Sequence, residues 1–153
     1  MRPLVNRQEA EVEKEQIEKE NSPEVLLKMM RGKCDPVNQP LLINKVLEHE
    51  DLLIPQVIKM LKTSGNDTFI ELAVKEIKKA KNNYCEDLLQ ILDDIRSPYA
   101  LSLVCILIGY LGTEKDIPIL LRIHMELKKT YSNETYDQGP LLALIEMRER
   151  FKK

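Results

Sequence analysis

One segment of the chain, residues 99–108, is apolar on nearly every side of a helix and contains a single polar side chain. Ser97 and Pro98 before it form a helix-start signal, and Gly112 after it is a stop signal. A helix that is apolar all round must be covered on most sides. We therefore expect deep burial of Ile106; the alternative is an exposed apolar patch that serves as a binding or dimer surface.

Helix-start residues and amphipathic stripes recur along the chain after residue 21. Between residues 84 and 95, for example, apolar side chains follow the helical period. No segment alternates in the manner of a strand, so the sequence predicts an all-α protein with about eight helices in antiparallel succession. These helices are predicted at residues 23–31, 36–48, 51–64, 68–82, 84–95, 98–112, 116–131 and 140–151.

The predicted helices group into pairs that begin near residues 23, 51, 86 and 116, a loose period of about 30 residues that indicates an α-solenoid. Pro55 and Pro118 both lie in the first turn of a pair's first helix, and Asp67 lies in an inter-helix turn. Over residues 23–151 the chain resembles the HEAT-repeat family. The resemblance implies a right-handed α-α superhelix whose second helices line a concave surface; an irregular helical bundle is the rival architecture.

Residues 1–21 differ from the rest of the chain in being highly charged. They offer only Val12 and Ile17 as apolar contacts after residue 7, which is little to hold a helix against a core. We expect a charged, solvated N-terminal helix or tail here, with a partner-binding helix as the alternative. The repeat domain is expected to span residues 22–153.

Composition argues against several classes of function. The net charge of −2 provides no general attraction to nucleic acid. Cys34, Cys85 and Cys105 lack metal-ligand spacing and are interpreted as reduced thiols, with Cys105 buried. We predict a cytoplasmic protein with no membrane span, metal or cofactor, because the chain shows neither a leader segment nor a long apolar run.

Candidate catalytic residues are few. His124 lies near the apolar stripe of its helix, and no nucleophile or carboxylate partner is evident for it. His49 follows a helix end, where a partly cationic ring is favourable. Four carboxylates on helix 84–95 are interpreted as a solvated face, with contact to a basic partner as the alternative. They are Glu86, Asp87, Asp93 and Asp94. The chain is therefore predicted not to be an enzyme.

A cluster of lysines on helix 68–82 is the best candidate binding site. Glu71, Lys75, Lys78 and Asn82 are expected to share one exposed stripe, and Glu71 is expected to pair with Lys75. Lys79 completes the candidate set. The leading hypothesis is a non-enzymatic protein–protein interaction module that presents the second helices 68–82, 98–112 and 140–151 to an unidentified protein or peptide. The alternative is a nucleic-acid-binding HEAT-like solenoid.

Overall fold

The computed structural model describes residues 4–152, which form nine α-helices and three short 3-10 turns without any β-strand in that range. The all-α prediction is confirmed. The helices are α1 (Leu4–Lys19), α2 (Pro23–Arg31), α3 (Gln39–Leu47), α4 (Glu50–Leu61), α5 (Asp67–Lys79), α6 (Cys85–Ile91), α7 (Pro98–Leu111), α8 (Ile117–Thr130) and α9 (Gln138–Arg150). The 3-10 turns are Pro36–Asn38, Leu92–Asp94 and Glu114–Asp116.

Local side-chain caps begin several of these helices. The Ser97 hydroxyl accepts the backbone N–H of Ala100 at 3.2 Å at the start of α7. The Asn66 side chain accepts the N–H of Phe69 at 3.1 Å in the first turn of α5. Each bond satisfies a backbone donor that the helix itself leaves unpaired. The short cap signals in the sequence therefore determine where these helices begin.

The helices are arranged in two layers. Each odd-numbered helix contacts the next odd-numbered helix, from α1 through α3, α5 and α7 to α9. The even-numbered helices form the other layer, in which α2 contacts α4 and α4 contacts α6. Contacts within the successive pairs α2–α3, α4–α5, α6–α7 and α8–α9 join the two layers.

The hydrophobic core lies between these layers as one continuous cluster from Ile17 to Met147. Both layers contribute apolar side chains with no exposed surface, which is where most of the stabilising burial comes from. From the even layer these include Leu26, Ile54, Leu88 and Leu120, and from the odd layer Leu42, Ile70, Val104 and Ala143.

Helix α1 is packed more firmly than the sequence predicts. Ala10 and Ile17 are buried, whereas Val12 is exposed. Polar contacts to the start of α3 hold the helix in place: the Asn38 amide donates to the Ala10 carbonyl at 2.9 Å and to the Glu13 carboxylate at 2.7 Å. The expectation of a merely solvated segment is wrong for this part of α1, because periodicity does not reveal such polar tertiary bonds.

Helix α7 is buried on most sides but not on all. Val104, Cys105, Leu107 and Ile108 are buried, as predicted for the helix as a whole and for Cys105. Ile106 is only partly buried, so the expectation of its deep burial is wrong. The physical reason is position: α7 belongs to the odd layer, and none of the described helices covers the side of α7 that faces away from the even layer.

Glycine allows α7 and α9 to approach closely. A Cβ added to Gly109 would lie 2.6 Å from the Cα of Ala143, and one added to Gly139 would lie 2.2 Å from the Ser102 carbonyl oxygen. A glycine inside a helix often marks the close approach of another backbone, and Gly109 is such a case. Gly112 ends α7 in an extended conformation, with φ of −84°.

Candidate partner-binding face

The predicted stripe of α5 lies beside the open side of α7. The Tyr99 hydroxyl donates to Glu71 at 2.7 Å, and the Lys78 ammonium lies 3.6 Å from the ring centroid of Tyr110. Glu71 and Tyr99 are near the N-terminal ends of the two helices, and Lys78 and Tyr110 are near the C-terminal ends. The two helices therefore run parallel, with the α5 stripe along one edge of α7.

The five predicted binding residues do not form one cluster. Glu71, Lys75 and Lys78 share the exposed stripe of α5. Lys79 reaches the other way and donates to Asn44 of α3 at 2.6 Å. Asn82 lies in the loop after α5, where its N–H donates to Glu50 at 3.0 Å and its amide to Asp51 at 3.4 Å. Only the first three residues remain candidates for a common surface.

Glu71 does not pair with Lys75 as expected. Its carboxylate instead accepts the Tyr99 hydroxyl, and this hydrogen bond, together with burial, raises the pKa of Tyr99 to about 12. The phenol therefore stays protonated and keeps donating at physiological pH. Lys75 has no hydrogen-bond or ion-pair partner within the described residues and is exposed. Its charge is free to meet a partner.

The open side of α7 carries four large side chains at successive turns. Tyr99, Leu103 and Ile106 are partly buried, and Tyr110 is 40% exposed. Their spacing of three and four residues places them on one stripe. The sequence offered an exposed apolar patch on this helix only as the alternative and did not identify these residues, because a uniformly apolar helix gives no sign of which side is covered. The two tyrosines were the available signal, since a phenol requires a polar neighbour or water.

Helix α9 extends the apolar surface. Gly139 and Ala143 face α7. Helical spacing places Leu142 on the same open side as the α7 stripe, and Leu142 is 51% exposed. We call this surface the odd-helix face. It consists of Glu71, Lys75 and Lys78 of α5, Tyr99, Leu103, Ile106 and Tyr110 of α7, and Leu142 of α9.

The C-terminal side chain of α9 fixes the position of this surface. The Arg150 guanidinium donates to the carbonyl oxygens of Gly109 and Gly112, both at 2.7 Å. These carbonyls lie at the C-terminal end of α7, where a cation also interacts favourably with the helix dipole. One side chain therefore ties the end of α9 to the end of α7 and holds the two stripes in register.

The histidine and the cysteines considered in the sequence are hydrogen-bonded or unreactive. The Nδ1 atom of His124 lies 3.0 Å from the Asp137 carbonyl oxygen and 4.0 Å from the Asp137 carboxylate, a neighbour that the sequence did not reveal. Burial raises the pKa of the Cys34 and Cys105 thiols to about 12 and that of Cys85 to about 11. Thiols with such pKa values are poor nucleophiles at neutral pH.

The acidic face of α6 is engaged in ion pairs with the next helix pair. Glu86 lies 3.2 Å from the Lys115 ammonium, and Asp93 lies 2.9 Å from the Arg122 guanidinium. No group of three metal-ligating side chains was found among the described residues. Two of the four carboxylates named in the sequence analysis therefore contribute to contacts between neighbouring elements, and all four are exposed.

An open cleft of about 410 Å³ lies at the turn between α3 and α4. Its lining includes His49, Asp51 and Lys81. Glu50 in the same cleft is committed to structure, since its carboxylate accepts the N–H of Lys81 at 2.8 Å and the Tyr84 hydroxyl at 3.1 Å. The cleft offers no nucleophile paired with a base.

Comparison of the chain with protein-family models, with curated proteins and with solved structures finds no match. Within residues 4–152, none of the helices combines the length and the apolar composition that crossing a membrane requires.

Proposed function

We propose that this chain is a non-enzymatic protein-interaction module of HEAT-like organisation that docks a partner protein or peptide on its odd-helix face. The single observation that carries the proposal is the open stripe of α7. Leu103 and Ile106 remain partly accessible and Tyr110 is exposed on the side of α7 that faces away from the even layer, and helical spacing places the exposed Leu142 of α9 on the same side. Contiguous apolar surface with a polar rim is typical of protein-binding sites.

A binding role rather than a catalytic one fits the chemistry of this surface. The odd-helix face contains a carboxylate that is bonded to a phenol, two lysines and several apolar side chains. Neither lysine is buried, so neither has the desolvation that activates catalytic amines. Tyrosine is frequent at the energetic centres of protein interfaces, which supports Tyr99 and Tyr110 as anchors for a partner.

The proposal includes a cytoplasmic location. The three cysteines are free thiols, and two of them are buried in the core. Free thiols persist in reducing compartments, which supports this assignment.

Site-specific photo-crosslinking tests the proposed function. A benzophenone amino acid replaces Ile106 on the odd-helix face in one variant and Lys59 on α4 of the even layer in another. We expect illumination in cells to produce discrete protein adducts from position 106 and none from position 59. The same adducts should disappear when Leu103→Asp is added to the first variant.

Two results would contradict the proposal. One is the absence of adducts from position 106 in a variant whose circular dichroism shows an intact helical fold. The other is the same set of adducts from positions 59 and 106, since this would indicate non-specific capture.

A further inference from the structure

We propose that the partner segment is an amphipathic α-helix whose acidic flank lies along α5, an inference that rests on the proposed function of the odd-helix face. The apolar side of this helix would cover Leu103, Ile106 and Leu142. Its acidic residues would face Lys75 and Lys78.

The secondary structure of the partner segment follows from the lack of free backbone hydrogen-bonding groups on the odd-helix face. The odd-helix face is made of helices whose interior N–H and C=O groups are already paired with one another. An extended segment would find no strand edge here to satisfy its own backbone groups. A helix satisfies its backbone internally and presents only side chains, so it suits an apolar surface of this kind.

Charge determines which flank of the partner is acidic. Lys75 is exposed and has no partner within the described residues, and the exposed Lys78 ammonium lies 3.6 Å from the Tyr110 ring centroid. On the opposite edge, Glu146 lies four residues after Leu142 and therefore on the same stripe of α9, followed by Glu149, which lies 3.7 Å from the Arg148 guanidinium. An acidic flank is attracted at the α5 edge and repelled at the α9 edge. The orientation of the partner helix about its own axis is set by this difference.

The length of the stripe sets the length of the partner segment. Tyr99 and Tyr110 are eleven residues apart on α7, which corresponds to about 16 Å at 1.5 Å per residue. This is three turns of helix, enough for apolar anchors at i, i+4 and i+7 of the partner. A segment of about 12 to 18 residues would therefore cover the face.

Fluorescence anisotropy with two labelled synthetic peptides tests the inference on the full chain. Both peptides have 18 residues and the same leucine face; one carries Glu on the flanks and the other carries Lys. We expect the Glu-flanked peptide to bind about tenfold more tightly at physiological salt. The double variant Lys75→Glu/Lys78→Glu should lose or invert this preference.

Three controls locate the site and the conformation of the bound peptide. The double variant Lys28→Glu/Lys59→Glu makes the same charge change on α2 and α4 of the even layer and should keep the preference. Leu103→Asp should weaken binding of the Glu-flanked peptide more than tenfold. A central proline in that peptide should also weaken binding more than tenfold, because proline breaks a helix.

Several outcomes would overturn the inference. They are equal binding of the two peptides, a preference that survives Lys75→Glu/Lys78→Glu, and undiminished binding of the proline peptide. Failure of both peptides to bind would also overturn it. If position 106 still produces specific protein adducts in that case, the proposed function stands and the partner presents some other kind of surface.

Discussion

Glu76 is an ionisable side chain that the fold buries without compensation. It lies in α5 with no exposed surface, and neither carboxylate oxygen has a hydrogen-bond partner in the described part of the chain. Burial raises the pKa of this carboxyl from 4.5 to about 9. At neutral pH the folded chain therefore holds Glu76 in its neutral, protonated form.

The free energy of unfolding should consequently fall as the pH rises. Above about 4.5 the unfolded chain releases the Glu76 proton, whereas the folded chain keeps it until about 9, so rising pH stabilises only the unfolded state. Each pH unit lowers the free energy of unfolding by about 1.4 kcal/mol, so the original chain should lose about 4 kcal/mol of stability between pH 5 and pH 8. The Glu76→Gln variant should not show this loss. Urea denaturation at the two pH values measures the difference.

A matched control for this prediction is Glu15→Gln, which changes an exposed carboxylate on α1. This variant should keep the pH dependence of the original chain. The same pH dependence in Glu76→Gln would contradict the argument, because it would show that other groups cause the loss of stability.

Glu50 is a second buried carboxylate, and its pKa is shifted in the opposite direction to that of Glu76. Burial on its own would raise the pKa of Glu50, but the N–H groups of Lys81 and Asn82 and the Tyr84 hydroxyl lower it below its usual value. The sequence distinguishes neither case, since both residues lie in predicted helices. What separates them is a set of partners more than 30 residues away for Glu50 and the lack of any described partner for Glu76.

At the scale of single helices, two isoleucines of α7 that look equivalent in the sequence differ in burial. Ile106 is partly buried, whereas Ile108 has no exposed surface. Ile106→Asp should cost about 1 kcal/mol of stability, because water can still reach the new carboxylate. Ile108→Asp should cost about 4 kcal/mol or more, since it places an unpaired charge in the core.

Thermal melting and size-exclusion chromatography of the two variants test this difference. We expect the Ile106→Asp variant to be folded and to elute with the size of the original chain or of its monomer. A loss of the folded state as severe as that of Ile108→Asp would show that the α7 stripe belongs to the core and would remove the basis of the odd-helix face.

The close contact between α7 and α9 provides a second test at this scale. Gly109→Ala should destabilise the chain by about 1 to 2 kcal/mol, because the added methyl group would lie 2.6 Å from the Cα of Ala143. The gain in helix propensity, about 1 kcal/mol, offsets only part of that strain. Chemical denaturation measures the net effect.

The control for this substitution is Gly65→Ala in the loop before α5. A Cβ at Gly65 would meet no described atom within 4 Å. This variant should be neutral or slightly stabilising. Equal losses of stability for the two variants would contradict the close-approach argument, since they would point to a general cost of alanine at glycine positions.

Helix starts could be predicted from the sequence more closely than helix ends, since the predicted helices 68–82 and 84–95 end as α-helix at Lys79 and Ile91. Surfaces could be predicted only in part. Caps and apolar spacing are local, and the predicted helix 98–112 agrees closely with α7 (Pro98–Leu111). The α5 stripe was also predictable from its charges. The open side of α7 was not, because it depends on which neighbour α7 lacks. The polar bonds that hold α1 were equally hidden, since Asn38 and Glu13 meet across 25 residues of sequence.

At the scale of the whole molecule, the two layers explain why exposed apolar side chains concentrate toward the C-terminal end. The odd layer ends with α9, whose Leu141 and Ile145 are each 41% exposed, and the even layer ends with α8. Terminal units of a stacked array bury one face fewer than internal units do. Among the described helices only α7 and α8 pack extensively against α9.

The distribution of charge over the whole molecule also bears on nucleic acid as the alternative partner. The net charge is −2. On the odd-helix face, Lys75 and Lys78 adjoin Glu71 on α5, and Glu149 lies on the far edge. A protein that tracks a phosphate backbone places many cations along one continuous path, and its affinity falls steeply with added salt. Two lysines between carboxylates supply little of this.

We therefore expect no tight binding of nucleic acid. A labelled 20-nucleotide single-stranded DNA and the matching RNA, titrated with the full chain, should show no submicromolar binding at physiological salt. The tyrosines of the odd-helix face could stack on bases, but without a phosphate path each contact adds only about 1 to 3 kcal/mol. The opposite result would be submicromolar affinity that weakens steeply with salt and is lost in Lys75→Glu/Lys78→Glu. That result would assign the odd-helix face to nucleic acid instead of protein, because Lys75 and Lys78 would then bind the phosphate backbone.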